Sequence, residues 1–280
     1  MGQGWERCQD LMNEGEKAGA SLEESQAALQ PLGDAEAKRL QETRSVYAVP
    51  IYVFSTSTVP APYYQAALKG VQATLQAAGQ RREVVALGAT LPEEGPFSTP
   101  ESYLQQAYQT QGLERDRGYG PQCVVEAILE QWHRDPWQAK PHLPHLSVFV
   151  VDCDLTSRKG DGTVFNFAYG ATQPDLGTIQ SISRLRAIKD PALQVRVFER
   201  VIEHETGHLF GLNQRTFHIE QRLGPHCSNV CVMRQALDFK ELSRHTQEEQ
   251  RANIHFCADC LAEFAARRRH YKPVSLLSRW

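Results

Sequence analysis

Apolar positions recur along this chain in two periods, and their alternation outlines an α/β fold. Val46 to Phe54 is a run rich in β-branched and aromatic residues, ended by a Ser/Thr stretch and Pro60, which predicts a buried strand. A helix is expected from about Pro62 to Ala78, with Gly79 as its stop. Val84 to Leu87 predicts a short second strand. Residues 88–121 hold five Gly and four Pro, so they read as loop with one helical turn near Tyr103. Cys123 to Trp132 predicts a helix, and Leu146 to Val151 a central strand. Thr163 to Tyr169 and Thr178 to Ile182 alternate apolar and polar residues around a turn, as a half-exposed hairpin at a sheet edge would. Strands separated by helices predict a twisted, mixed sheet that is at least partly parallel. Residues 1–45, polar and rich in Ala, Glu and Gln, read as a helical N-terminal extension, and residues 46–280 as the main domain.

The chemistry begins at Asp190-Pro191, an N-cap and first-turn pair that should open a helix running to Leu209 or Phe210. Leu193, Val197, Val201, His204 and His208 are spaced 4, 4, 3 and 4, so they share one face. Two imidazoles one helical turn apart, ~6 Å along the axis, can reach one zinc ion. Glu205 projects from the neighbouring face, where it can deprotonate a water without ligating the metal. Gly211 supplies a left-handed residue to end the helix.

Composition narrows the field. The chain is 41% hydrophobic and 22% charged, with a net charge of -3, so no electrostatic case exists for nucleic acid or an anionic membrane as partner. Neither an apolar stretch of spanning length nor a signal-peptide core is present, and the expected location is cytoplasmic. Seven cysteines form an odd set, and Cys227, Cys231, Cys257 and Cys260 fall close together. In a reducing compartment that cluster reads as a metal site. Cys123 and Cys153 lie apart and read as small core residues.

His204-Glu205-Thr206-Gly207-His208-Leu209-Phe210-Gly211 matches the first eight positions of the metzincin motif H-E-x-x-H-x-x-G. Together with His226-Cys227, Cys231-Val232-Met233 and Cys257-Ala258-Asp259-Cys260, the chain resembles the archaemetzincins over about residues 46–270. That resemblance implies a metzincin-like catalytic domain of two parts, 46–211 with the active-site helix and 212–280 as a small C-terminal subdomain. The latter is expected to end in a helix from about Gln247 to Arg269. It further implies two zinc ions per chain, one catalytic and one structural, the latter held by Cys227, Cys231, Cys257 and Cys260. Met233 becomes a hydrophobic support beneath the catalytic zinc. The implied activity is a zinc metallopeptidase with Glu205 as general base, acting on peptide or protein substrates that pair with an exposed strand, Thr163 to Tyr169.

The chain also departs from the family. Gln214 stands where the third zinc-binding His is expected, and the His-Cys pair arrives twelve residues late. The third ligand is therefore open among His226, which is favoured, His218, and a carboxylate such as Glu220. Two other classes stay in view: a non-catalytic, zinc-stabilised binding protein with a vestigial H-E-x-x-H site, and a nucleic-acid-binding zinc protein suggested by Arg267-Arg268-Arg269. That triplet reads more simply as a solvated helix end.

Overall fold

The computed structural model of the chain describes residues 48–89, 91, 99–105, 114–116, 120–134, 145–158, 167–174, 176–212, 219–220 and 225–267. The expected N-terminal extension, residues 1–45, lies outside the described residues. Among the described residues, no helix is long and apolar enough to cross a membrane.

A five-stranded sheet carries the fold. Strands β1 (Ala48–Ser55), β2 (Arg82–Gly88), β5 (Leu146–Val151), β7 (Gly170–Gln173) and β8 (Gly177–Ser181) lie in the order β2-β1-β5-β8-β7. Every pairing is parallel except β7 with β8, so the sheet is mixed, with an antiparallel edge. Side chains alternate across it with the period of two that a pleated strand imposes. Ile51, Val53, Val148 and Val150 face helices α1 (Ala61–Ala78) and α3 (Pro191–Leu209). Phe54, Phe149, Val151 and Ile179 face the opposite layer, which holds α2 (Val125–Arg134). Trp132, Tyr103, Phe54 and Phe149 form an aromatic cluster there, with ring centroids 4.8–6.4 Å apart. Burial on both faces accounts for the unbroken apolar runs of β1 and β5.

Several expectations are corrected by long-range pairing. Cys123 and Val124 belong not to a helix but to strand β4 (Gly120–Val124), and α2 starts only at Val125. Strand β4 joins β6 (Asp154–Thr156) and β3 (Glu114–Asp116), the last within a stretch that reads locally as loop, in a small sheet. Its pairs, such as Cys123 with Leu155, connect residues far apart in sequence. The edge hairpin exists, but its first arm is Gly170–Gln173; residues 159–166 lie outside the described residues, and Ala168 makes only an isolated bridge to Leu155. The second arm is wholly buried, since β8 lies between β5 and β7 and under α3. The helix expected over 247–269 is two helices, α4 (Phe239–Ala252) and α5 (Ala258–Arg267). Asn253, at φ 52°, ends α4, and its N–H donates back to Gln250.

The helical turn at 101–105 and the start of α3 match expectation. The Asp190 side chain accepts from Ala192 N at 2.9 Å, with Pro191 in the first turn. Gly211 takes φ 80° just past the helix end. Residues beyond 212 add Cys227, Cys231, Met233, Leu242, Phe256 and Phe264 to the same core that α1 and α3 build.

Candidate metal centres and active site

Helix α3 brings His204 and His208 to one side of a cavity of about 630 Å³, and the short strand β10 (His226–Cys227) brings His226 to meet them. The three ring centroids lie 4.7, 5.1 and 5.1 Å apart, and one nitrogen from each ring lies within 4.8 Å of the others. Strand β10 is held by β9 (Ile219–Glu220), His226 pairing with Glu220 through the backbone. His218, the other candidate, lies outside the described residues, as does the side chain of Glu220.

Orientation of the first imidazole is fixed. A carbonyl only accepts, so His204 Nδ1–H donates to Val232 O at 2.7 Å, leaving the Nε2 lone pair toward the other two rings. Burial, reinforced by the neighbouring imidazoles, holds His204 well below the usual histidine pKa and brings His208 down to about 4. Both rings are therefore neutral near pH 7, the form that ligates metal.

Glu205 is buried beside this triad. Burial raises its carboxyl to about 7, while a hydrogen bond from Thr172 acts in the opposite direction. Thr172, on the edge strand β7, donates from Oγ1 to Glu205 Oε2 at 2.6 Å and lies 3.0 Å from Glu205 O. Sequence reasoning did not find Thr172, because nothing in its local pattern shows which helix residue the edge strand covers. Arg200, one turn before His204, is buried at the cavity wall. Its guanidinium spans Glu249 at 2.8 and 3.1 Å and donates to Arg234 O at 2.7 Å, tying the segment after Met233 to α3.

The four clustered cysteines converge as a second centre, all four sulfurs lying within 4.8 Å of one another. Cys227 Sγ is 3.7 Å from Cys257 Sγ, and Cys231 Sγ is 3.8 Å from Cys260 Sγ. A tetrahedron with zinc–sulfur bonds of ~2.3 Å has edges of ~3.8 Å, so these spacings suit a four-thiolate zinc site and exclude disulfides. Asn229 N lies 3.4 Å from Cys227 Sγ, a backbone donor of the kind that stabilises thiolate charge. Sharing of S–H donors, chiefly with Cys231, pushes Cys257 up to about 12, so a cation is needed before all four can be thiolates. Both donor sets fit zinc.

Arg267 is no freely solvated helix end. It pairs with Glu263 at 3.2 Å, and its guanidinium sits so close to Gly211 that a Cβ there would meet it. Arg268 and Arg269 lie outside the described residues.

No known family's sequence model matches the chain. No curated protein sequence matches it either. Among solved structures, an archaemetzincin from Methanopyrus kandleri aligns with 79% of this chain and 96% of its own at a TM-score of 0.52. The fold is archaemetzincin-like. At 19% identity the likeness establishes the fold, and the chemistry rests on this chain's own residues.

Proposed function

We propose that the protein is a zinc-dependent metallopeptidase. The carrying observation is the meeting of His204, His208 and His226 beside a buried carboxylate, Glu205, at the wall of an open cavity. His204, His208 and His226 would hold the catalytic zinc, which when bound supplies Lewis acidity to a peptide carbonyl and to water. Glu205 takes the proton from the attacking water and returns it to the departing amine. Thr172 holds the Glu205 carboxylate against the edge strand, and β7 offers an extended substrate a backbone to pair with. Cys227, Cys231, Cys257 and Cys260 would hold a structural zinc that braces the segment carrying His226 and Met233.

The non-catalytic alternative would leave a structural metal site with a buried carboxylate at its side and no use for it. The deciding experiment compares wild type with Glu205→Gln on a peptide library, with metal content measured on the same samples. Two zincs per chain in both, and hydrolysis lost by ~10² to 10⁴ in the variant, are expected. Two zincs in both with no hydrolysis in wild type would establish the non-catalytic reading. Replacing His226 with Ala should remove one zinc and leave the cysteine site filled.

A further inference from the structure

We propose that Cys123 and Cys153 form an oxidant-responsive dithiol, which a hydroperoxide converts into an intramolecular disulfide behind the wall of the catalytic cavity. The inference stands apart from the hydrolase reading, since neither cysteine belongs to a metal centre. Their sulfurs lie 2.6 Å apart, much closer than the 3.7 and 3.8 Å pairs of the four-cysteine cluster, although the residues are thirty positions apart. A metal cluster spreads its sulfurs around an ion; among the described residues no third His, Cys, Asp or Glu joins this pair in such a group. The backbone holds them there: Cys123 lies in β4 opposite Leu155, two positions beyond Cys153 in the turn from β5 to β6. Bonding distance is only about half an ångström away.

The two thiols differ in access. Cys153 is half-buried and Cys123 fully buried, so peroxide meets Cys153 first. The sulfur of Cys153 attacks one peroxide oxygen, the O–O bond breaks, and a sulfenic acid forms with release of water. The sulfur of Cys123 then attacks the Cys153 sulfur, the S–O bond breaks, and a second water leaves as the S–S bond forms. Two thiols and one hydrogen peroxide thus give one disulfide and two waters, with two electrons passing to the peroxide. Ring closure by the adjacent Cys123 sulfur competes with further oxidation of Cys153.

The consequence reaches the cavity through the backbone. Cys153 O accepts from Ser181 Oγ at 2.5 Å, Ser181 N donates to Tyr169 O at 2.9 Å, and Ala168 N donates to Leu155 O at 2.8 Å. Ala168 and Tyr169 line the cavity. A covalent link from β4 to the β5–β6 turn restrains the support behind both.

The zinc-loaded full chain is treated with a small excess of hydrogen peroxide, alkylated, digested without reductant and mapped by mass spectrometry, with zinc release followed by a chromogenic chelator. The expected product is a peptide pair joining Cys123 to Cys153, lighter by two hydrogens, reversed by a phosphine reductant and formed before zinc is released. Oxidised wild type should melt at a higher temperature than reduced, and Cys153→Ser should show no such rise. Cys123→Ala serves the same purpose if the serine variant does not fold. Recovery of both cysteines as alkylated thiols after peroxide is consumed would overturn the proposal. So would Cys153 ending as sulfinate, its linkage to Cys8 or a second chain, or zinc release ahead of the link.

Discussion

Replacing Gly207 with Ala tests how the segment carrying Met233 is seated against helix α3. Gly207 lies between the two helix histidines, and a Cβ built on it would overlap Met233 Sδ and lie 3.2 Å from Met233 Cε and 3.3 Å from Leu212 Cδ1. Met233 is fully buried, so its thioether has no solvent-side space to retreat into. In an unobstructed helix interior, Gly to Ala stabilises by about 1 kcal/mol. Overpacking a buried contact costs about 1–3 kcal/mol. The net expectation is a loss of about 0–2 kcal/mol. In a Met233→Ala background the overlap with the thioether is gone and only the Leu212 Cδ1 contact remains, so the same substitution should stabilise by up to about 1 kcal/mol. The double-mutant coupling is therefore about 1–3 kcal/mol. Urea unfolding of the four proteins with saturating zinc measures it. Zinc affinity at the histidine site should also fall in Gly207→Ala, because Val232 O, which orients His204, is the neighbour of Met233. Equal stabilisation by Ala in both backgrounds would refute the packing argument.

Thr172→Val should lower hydrolysis roughly tenfold with little change in zinc content, and Thr172→Ser should restore most of it, since only the hydroxyl reaches Glu205; equal loss in both variants would assign the effect to the strand instead. Cys257→Ser with Cys260→Ser should reduce zinc from two to one per chain and lower unfolding free energy by at least about 3 kcal/mol, read by metal analysis and denaturation together. His245 is buried in α4 with Nδ1 lacking a hydrogen-bond partner; burial first, then Arg234 and Arg200, bring its pKa down to about 4, with Glu241 opposing. The unfolded chain takes up that proton near ~6.5, so this contribution to stability is intact above pH ~6.5 and is lost as pH falls toward ~4, by up to roughly 3 kcal/mol. His245→Asn should reduce the stability lost between pH 7 and pH 5, and an unchanged difference would show that His245 does not titrate on unfolding.

Local physics alone determined much of this protein. The cap at Asp190, the apolar face of α3 and the four-residue step from His204 to His208 depend on helix geometry within one segment, and that geometry is the same in any fold. The unbroken apolar runs of β1 and β5 likewise mark strands buried on both faces before any partner is known. Cysteine spacing announced a cluster that could hold a metal ion, because the two close pairs themselves set much of the ligand geometry. The tertiary structure decided the rest, wherever the stabilising partner is remote in sequence. The three-residue strands β3 and β6 have no hydrophobic period of their own and exist through pairing with β4. Asn253 turns left-handed, and so divides one apparent helix into two. His226 joins His204 and His208 despite arriving twelve residues later than expected, because β10 pairs with β9 at that place in the fold. Thr172 reaches Glu205 only because antiparallel pairing places the edge strand at Gly170–Gln173, immediately beyond the expected arm, which ended at Tyr169. A one-residue change of register exchanges the two faces of a strand, and register is a property of the pair, not of either segment alone.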